Sequence, residues 1–162
     1  MGPKDVILKT MDMSDSVINK YLDDLSDADL RLVAVEGMHP IALQLGHLIL
    51  SERRMVEMAK PGMSPALPPG FDEHHDIKNP PGDDTHFMTK QEYLKLRAAQ
   101  RAATKKALES VSDAELDDTR DGKLPARLPT VGAVFNMAGL HAMNHSGQFV
   151  VVRRSLKKPI AI

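Results

Sequence analysis

The stretch Met137-Ala-Gly-Leu-His141-Ala-Met-Asn-His145-Ser-Gly-Gln148 sets the first expectation about this chain. It lies in an apolar segment running from Thr130 to about Lys158. There Val131, Val134, Phe135, Ala138, His141, Ala142, His145, Phe149, Val152 and Leu156 recur with i, i+3, i+4, i+7 spacing. That period predicts one long helix with a buried stripe. Thr130 is a suitable N-cap, Lys157 and Lys158 suit the negative end of the helix dipole, and Pro159 closes the segment. His141 and His145 take stripe positions that leucine would otherwise fill, and their spacing sets both imidazoles on one face, one turn apart. Two imidazoles so placed can grip one metal ion.

Beyond this segment, 162 residues form one expected domain, 1–162, long enough to bury a core. A net charge of −1 gives no electrostatic reason to expect nucleic acid or an anionic membrane as partner. Cysteine is absent, which excludes disulfides, thiolate metal sites and a cysteine nucleophile. The first residues lack the apolar run of a signal peptide, and no stretch reaches the roughly 20 apolar residues of a membrane span. The expectation is therefore a cytoplasmic protein. Ten methionines against six aromatic residues suggest a core of flexible side chains, as helices use.

Three further long helices are predicted. The first covers Asp5 to Leu25, with Val6, Met13, Val17 and Tyr21 and their neighbours Ile7, Leu8 and Ile18 in a broad apolar stripe. Ser26-Asp-Ala-Asp29 caps a short extra turn, which Gly37 breaks. The second runs from Pro40 to about Lys60, with Pro40 in its first turn and Pro61-Gly62 ending it. Ile41, Leu45, Leu48, Met55 and Ala59 form its packed stripe, while Glu52, Arg53, Arg54 and Glu57 carry the wetter side. The third opens at Thr89, whose capping box is completed by Glu92, and shows an alanine-rich face through Leu94, Leu96, Ala99, Ala103, Ala107 and Leu108. Between the second and third, Pro61 to Thr89 holds six of the eleven prolines, including Pro80 and Pro81, so no helical period survives there. A loop of that length is expected to travel the length of the molecule, letting the second and third helices run parallel. Ser112-Asp-Ala-Glu115 repeats the earlier cap, and Asp117 to Pro129 is a polar connection. Four long helices with short appendages make an all-α four-helix bundle.

The chemistry then turns on the histidines. Two buried neutral imidazoles bring two lone pairs and two N–H groups, each costing about 1–3 kcal/mol if unsatisfied. Metal coordination relieves the lone pairs. His47 lies beside the second helix's stripe, near Leu43, Leu50 and Met58 in angle. It reads either as a histidine at the edge of a helix contact or as the third nitrogen of a three-histidine site. Three imidazoles with an open position is the pattern of catalytic rather than structural zinc-type sites, although imidazole alone does not choose among Zn, Ni, Fe and Cu.

Rival chemistries fail on the residues. The only Glu-x-x-His is Glu36-Gly-Met-His39, broken by glycine and followed by Pro40, so a di-iron carboxylate bundle is excluded. His141 is followed by Ala142, Met143 and Asn144, which supplies no zincin glutamate. Phosphate-cradling glycine loops and a Gly-x-Ser-x-Gly elbow are both missing. His74, His75 and His86 read as solvent-exposed loop residues, His39 as serving the start of its helix, and Arg153 and Arg154 as a surface or dimer-interface salt bridge.

The segments Leu45-Gly-His47-Leu-Ile-Leu-Ser-Glu52-Arg, Leu128-Pro-Thr-Val-Gly-Ala-Val134 and His141-Ala-Met-Asn-His145-Ser-Gly147-Gln148, followed by Arg153-Arg-Ser-Leu-Lys-Lys-Pro159, resemble the DinB family over nearly the whole chain. Many relatives carry a second histidine where this chain has Asn144, a position outside the usual ligand trio. The resemblance implies a DinB-type bundle with the long crossover loop and a divalent metal (Zn, Ni or Fe) held by His47, His141 and His145. It also implies a homodimer and, in some relatives, transfer chemistry on low-molecular-weight thiols such as bacillithiol or mycothiol. The expected function is a metal-dependent thiol transferase or hydrolase acting on a small molecule, with Gln148 orienting a ligand imidazole. The alternative is a non-catalytic, dimerising or stress-related bundle whose metal site is structural or vestigial. No catalytic base is evident, since Gln44, Asn136 and Asn144 do not titrate.

Overall fold

Three of the α-helices start where a short polar side chain, Ser26, Thr89 or Thr130, accepts from a free N–H group of the first turn. In the computed structural model, which describes residues 1–80 and 82–160, the order is α1 (Pro3–Leu22), α2 (Asp27–Arg31), α3 (Ile41–Ala59), α4 (Phe71–His74), α5 (Lys90–Ser110) and α6 (Val131–Ser155). Pro81, Ala161 and Ile162 lie outside the described residues. Two short 3₁₀ turns, Ala114–Asp117 and Arg120–Gly122, connect α5 to α6. No strand is present among the described residues.

The three capping boxes expected from Ser26, Thr89 and Ser112 all form. Ser26 Oγ accepts from Asp29 N at 3.1 Å while Ser26 N donates to Asp29 Oδ2 at 2.8 Å. Thr89 pairs with Glu92 in the same way at 3.3 and 2.8 Å, and Ser112 with Glu115 at 3.2 and 2.8 Å. Thr130 caps α6 by accepting from Ala133 N at 3.2 Å. Pro40 stands at the N-cap of α3, one position earlier than expected. α1 stops at Leu22 rather than Leu25, because Lys90 Nζ takes the freed carbonyls of Leu22, Asp23 and Leu25 at 3.2, 3.0 and 2.6 Å.

Cross-helix contacts fix the directions. Gln44 and His47 of α3 meet His145 and His141 of α6, so those helices run antiparallel. α1 and α6 run parallel, since Gly139 packs on Thr10 and Met11 while Arg153 reaches Tyr21 O at 2.7 Å. α1 and α5 run antiparallel, with Asp15 against Arg97 and Arg101 and the end of α1 on Lys90. α3 and α5 run parallel: Glu52 meets Thr104, and Val56 and Ala59 share a core cluster with Ala107 and Leu108. The long connection from Pro61 to Thr89 is therefore a crossover, as its length suggested.

Gly139 is required where α1 and α6 touch. A Cβ there would stand 2.9 Å from Thr10 Cγ2 and 3.1 Å from the Thr10 backbone. The core falls into two apolar clusters, one around Ile18, Leu45, Tyr93 and Phe149 and one around Met11, Val56, Leu108 and Phe135.

Several side chains depart from the expected stripes. Val6 and Met13 are exposed, and α1 buries Ile7, Met11, Ser14, Val17, Ile18, Tyr21 and Leu22 instead. The α5 face is the alanine-rich one only in part: Ala107 and Leu108 are buried, but Ala99 is exposed, and Arg97, Gln100, Arg101 and Thr104 are buried as well. Glu52, expected on the wet side of α3, is buried against them. Its carboxylate lies 3.1 Å from Arg101 Nη2 and accepts from Thr104 Oγ1 at 2.7 Å. The reason is compensation: a charge can be buried when an opposite charge and a hydrogen bond come with it. Arg153 is likewise an internal clamp rather than a surface pair, bonding Tyr21 O, Asp24 and Pro159 O while 2 % exposed.

Candidate metal centre

α3 and α6 cross so that one turn of each contributes to a single cluster. His47 of α3 and His141 and His145 of α6 each offer a ring nitrogen, and these atoms lie within 4.8 Å of one another. His141 Nε2 and His145 Nε2 are 3.2 Å apart. Two nitrogens bound tetrahedrally to one ion at about 2.0–2.1 Å would be about 3.3 Å apart, so this spacing fits a shared cation. The ring of His47 is centred 5.1 Å from that of His141 and 5.3 Å from that of His145.

His145 is buried, whereas His47 and His141 are half-buried, so the cluster has one closed side and one side toward solvent. Burial first, then the neighbouring imidazole of His141, hold the His47 pKa down at about 4. Burial first, then His141 and His47, hold His145 down at about 4, and burial lowers His141 as well. All three rings are thus neutral near pH 7 and keep the lone pair that a metal ligand needs. The donor set therefore suits a divalent ion of the imidazole-binding kind.

The partner of His145 is Gln44, not Gln148. Gln44 Oε1 lies 2.9 Å from His145 Nδ1, and Gln44 Nε2 donates to His39 O at 2.8 Å. Gln44 had a signal in the sequence: it is an amide within the apolar run Ile41-Ala-Leu-Gln44-Leu-Gly-His47, where a buried polar group needs partners. His39 contributes its carbonyl to this arrangement, in keeping with a place at the start of its helix.

The crossover loop supplies a further buried histidine. His75, expected in solvent, is 1 % exposed. Its Nε2 is 2.7 Å from Tyr93 Oη, its Nδ1 3.0 Å from Phe71 O, and its ring stacks on Phe71. The ring fills the space left by Gly46, the residue before His47. His74 is half-buried rather than exposed, because it stacks on His86 with centroids 4.0 Å apart; His86 itself is exposed as expected. Arg153 and Arg154 belong to the far end of α6 and take no part in the cluster.

The sequence profile of the DinB superfamily matches residues 11–149, a span that includes all three clustered histidines. No curated protein matches the chain. No described helix is long and apolar enough to cross a membrane.

Proposed function

The chain belongs to the DinB superfamily, and we propose that it is a metal-dependent enzyme whose divalent ion is held by His47, His141 and His145. The observation that carries this reading is the count and placement of ligands. Three neutral imidazoles converge, and two of them are only half-buried. A structural site is usually closed by four protein ligands, while three leave a position for a reactant. Zn, Ni or Fe would each suit these nitrogens. A divalent ion there supplies Lewis acidity, lowering the pKa of a thiol or a water brought to its open side. The protein's own contribution is to keep the imidazoles neutral by burial and to hold them on two rigid helices.

The reaction class proposed is transfer to or from a low-molecular-weight thiol, or hydrolysis, on a small-molecule substrate. Homodimerisation is part of the proposal, supported by the exposed apolar side chains of Val6 and Met13 on α1 and Leu140 and Val151 on α6. The test is elemental analysis of purified protein and of His47→Ala, His141→Ala and His145→Ala, followed by turnover with a panel of thiols and electrophiles. Stoichiometric metal in the parent and its loss in each variant is expected. Full occupancy in all three variants would overturn the ligand set, and light scattering on the same samples reads the dimer.

A further inference from the structure

We propose that the three histidines are not equivalent: His145 is preset as a ligand by Gln44, while His141 carries the proton that must move when a cation arrives. This inference rests on the trio being a metal site, but its first readout does not require metal.

The hydrogens can be placed starting from a carbonyl. His39 O can only accept, so the Gln44 group 2.8 Å from it is the amide nitrogen. The Gln44 oxygen is then the atom 2.9 Å from His145 Nδ1. That oxygen can only accept, so His145 Nδ1 bears the hydrogen. A neutral imidazole has one N–H, which leaves His145 Nε2 as a bare lone pair. His141 Nε2 lies 3.2 Å away. Two lone pairs facing each other at that distance repel, so in the metal-free protein His141 Nε2 bears its hydrogen and donates to His145. None of the hydrogen bonds among the described residues engages His141 Nδ1, so the alternative N–H position stays available on that ring.

His145 can give its lone pair to an entering cation without any change in its own ring. His141 must give up its Nε2 hydrogen and take one at Nδ1. One N–H bond breaks and one forms on the same imidazole through solvent, with no net proton released. Gln44 is thus a positioning residue: fully buried, it touches no reactant and acts through His145.

Long-range ¹H–¹⁵N NMR of the metal-free and zinc-loaded protein near pH 7.5 tests this. The expected result is His145 as the Nδ1–H form in both states, with His141 switching from Nε2–H to Nδ1–H on zinc addition. His145 as Nε2–H in the metal-free protein would overturn the inference. Gln44→Leu should lose the single His145 form and weaken zinc binding by about 10–100-fold in chelator competition. Gln44→Glu keeps an acceptor for His145 Nδ1 but brings a second acceptor against His39 O, so it should restore the Nδ1–H form in part. Equal loss in Gln44→Leu and Gln44→Glu would mark Gln44 as packing alone and overturn its positioning role. If zinc does not bind the parent protein, the metal reading fails, and the metal-free tautomers still decide whether Gln44 presets His145.

Discussion

Gly46→Ala isolates the contact by which the crossover loop grips α3. A methyl at residue 46 would stand 1.9 Å from His75 Cδ2, 2.2 Å from Cγ and 2.8 Å from Cβ. Those distances are well inside contact, so the buried ring must leave. Its exit breaks the bonds to Tyr93 and Phe71 O, each worth about 1 kcal/mol net, and exposes ring surface worth about 1–2 kcal/mol. The alanine returns about 1 kcal/mol of helix propensity. The balance is a loss of about 2–3 kcal/mol, or about 4–12 °C in Tm for a domain of this size. Urea unfolding of Gly46→Ala, His75→Ala and the double variant gives the coupling directly. With the ring already absent, the added methyl should cost under about 1 kcal/mol. Additive effects, or a Gly46→Ala protein as stable as the parent, would contradict this account.

Acid should weaken the metal-free fold through the histidine cluster. His47 and His145 are held at about 4 against an ordinary value of 6.5, so between those values the unfolded chain binds more protons. Stability is then complete above about pH 6.5 and falls as pH drops toward about 4; a Tm that stays flat or rises from about pH 6.5 to 5 would count against it. In the core, Arg101→Met leaves the Glu52 carboxylate buried without its cation and should cost about 3–5 kcal/mol. Burial pushes the Glu52 pKa up, and Arg101 is the chief charge opposing that shift, so its loss pushes the carboxyl further up. Adding Glu52→Leu should recover more than half of the loss in urea unfolding, and strictly additive losses would show that the pair is not coupled.

The helices and the ligand candidates were legible in the chain alone. Helical period and local caps are properties of neighbouring residues, so Ser26, Thr89 and Thr130 marked helix starts that the structure places within a residue or two. The His141–His145 spacing is likewise local, and the helix carries both rings to one side. Relations between helices were not legible in this way. Glu52, Arg97 and Arg101 look solvated in sequence because burial of a charge depends on a partner tens of residues away. His75 looks like a loop residue because nothing near it in sequence announces the slot over Gly46 or the Tyr93 hydroxyl. Gln44 takes its role from His145, 101 positions distant. Periodicity reports which face of a helix is apolar, whereas complementarity between two faces exists only once both are in place.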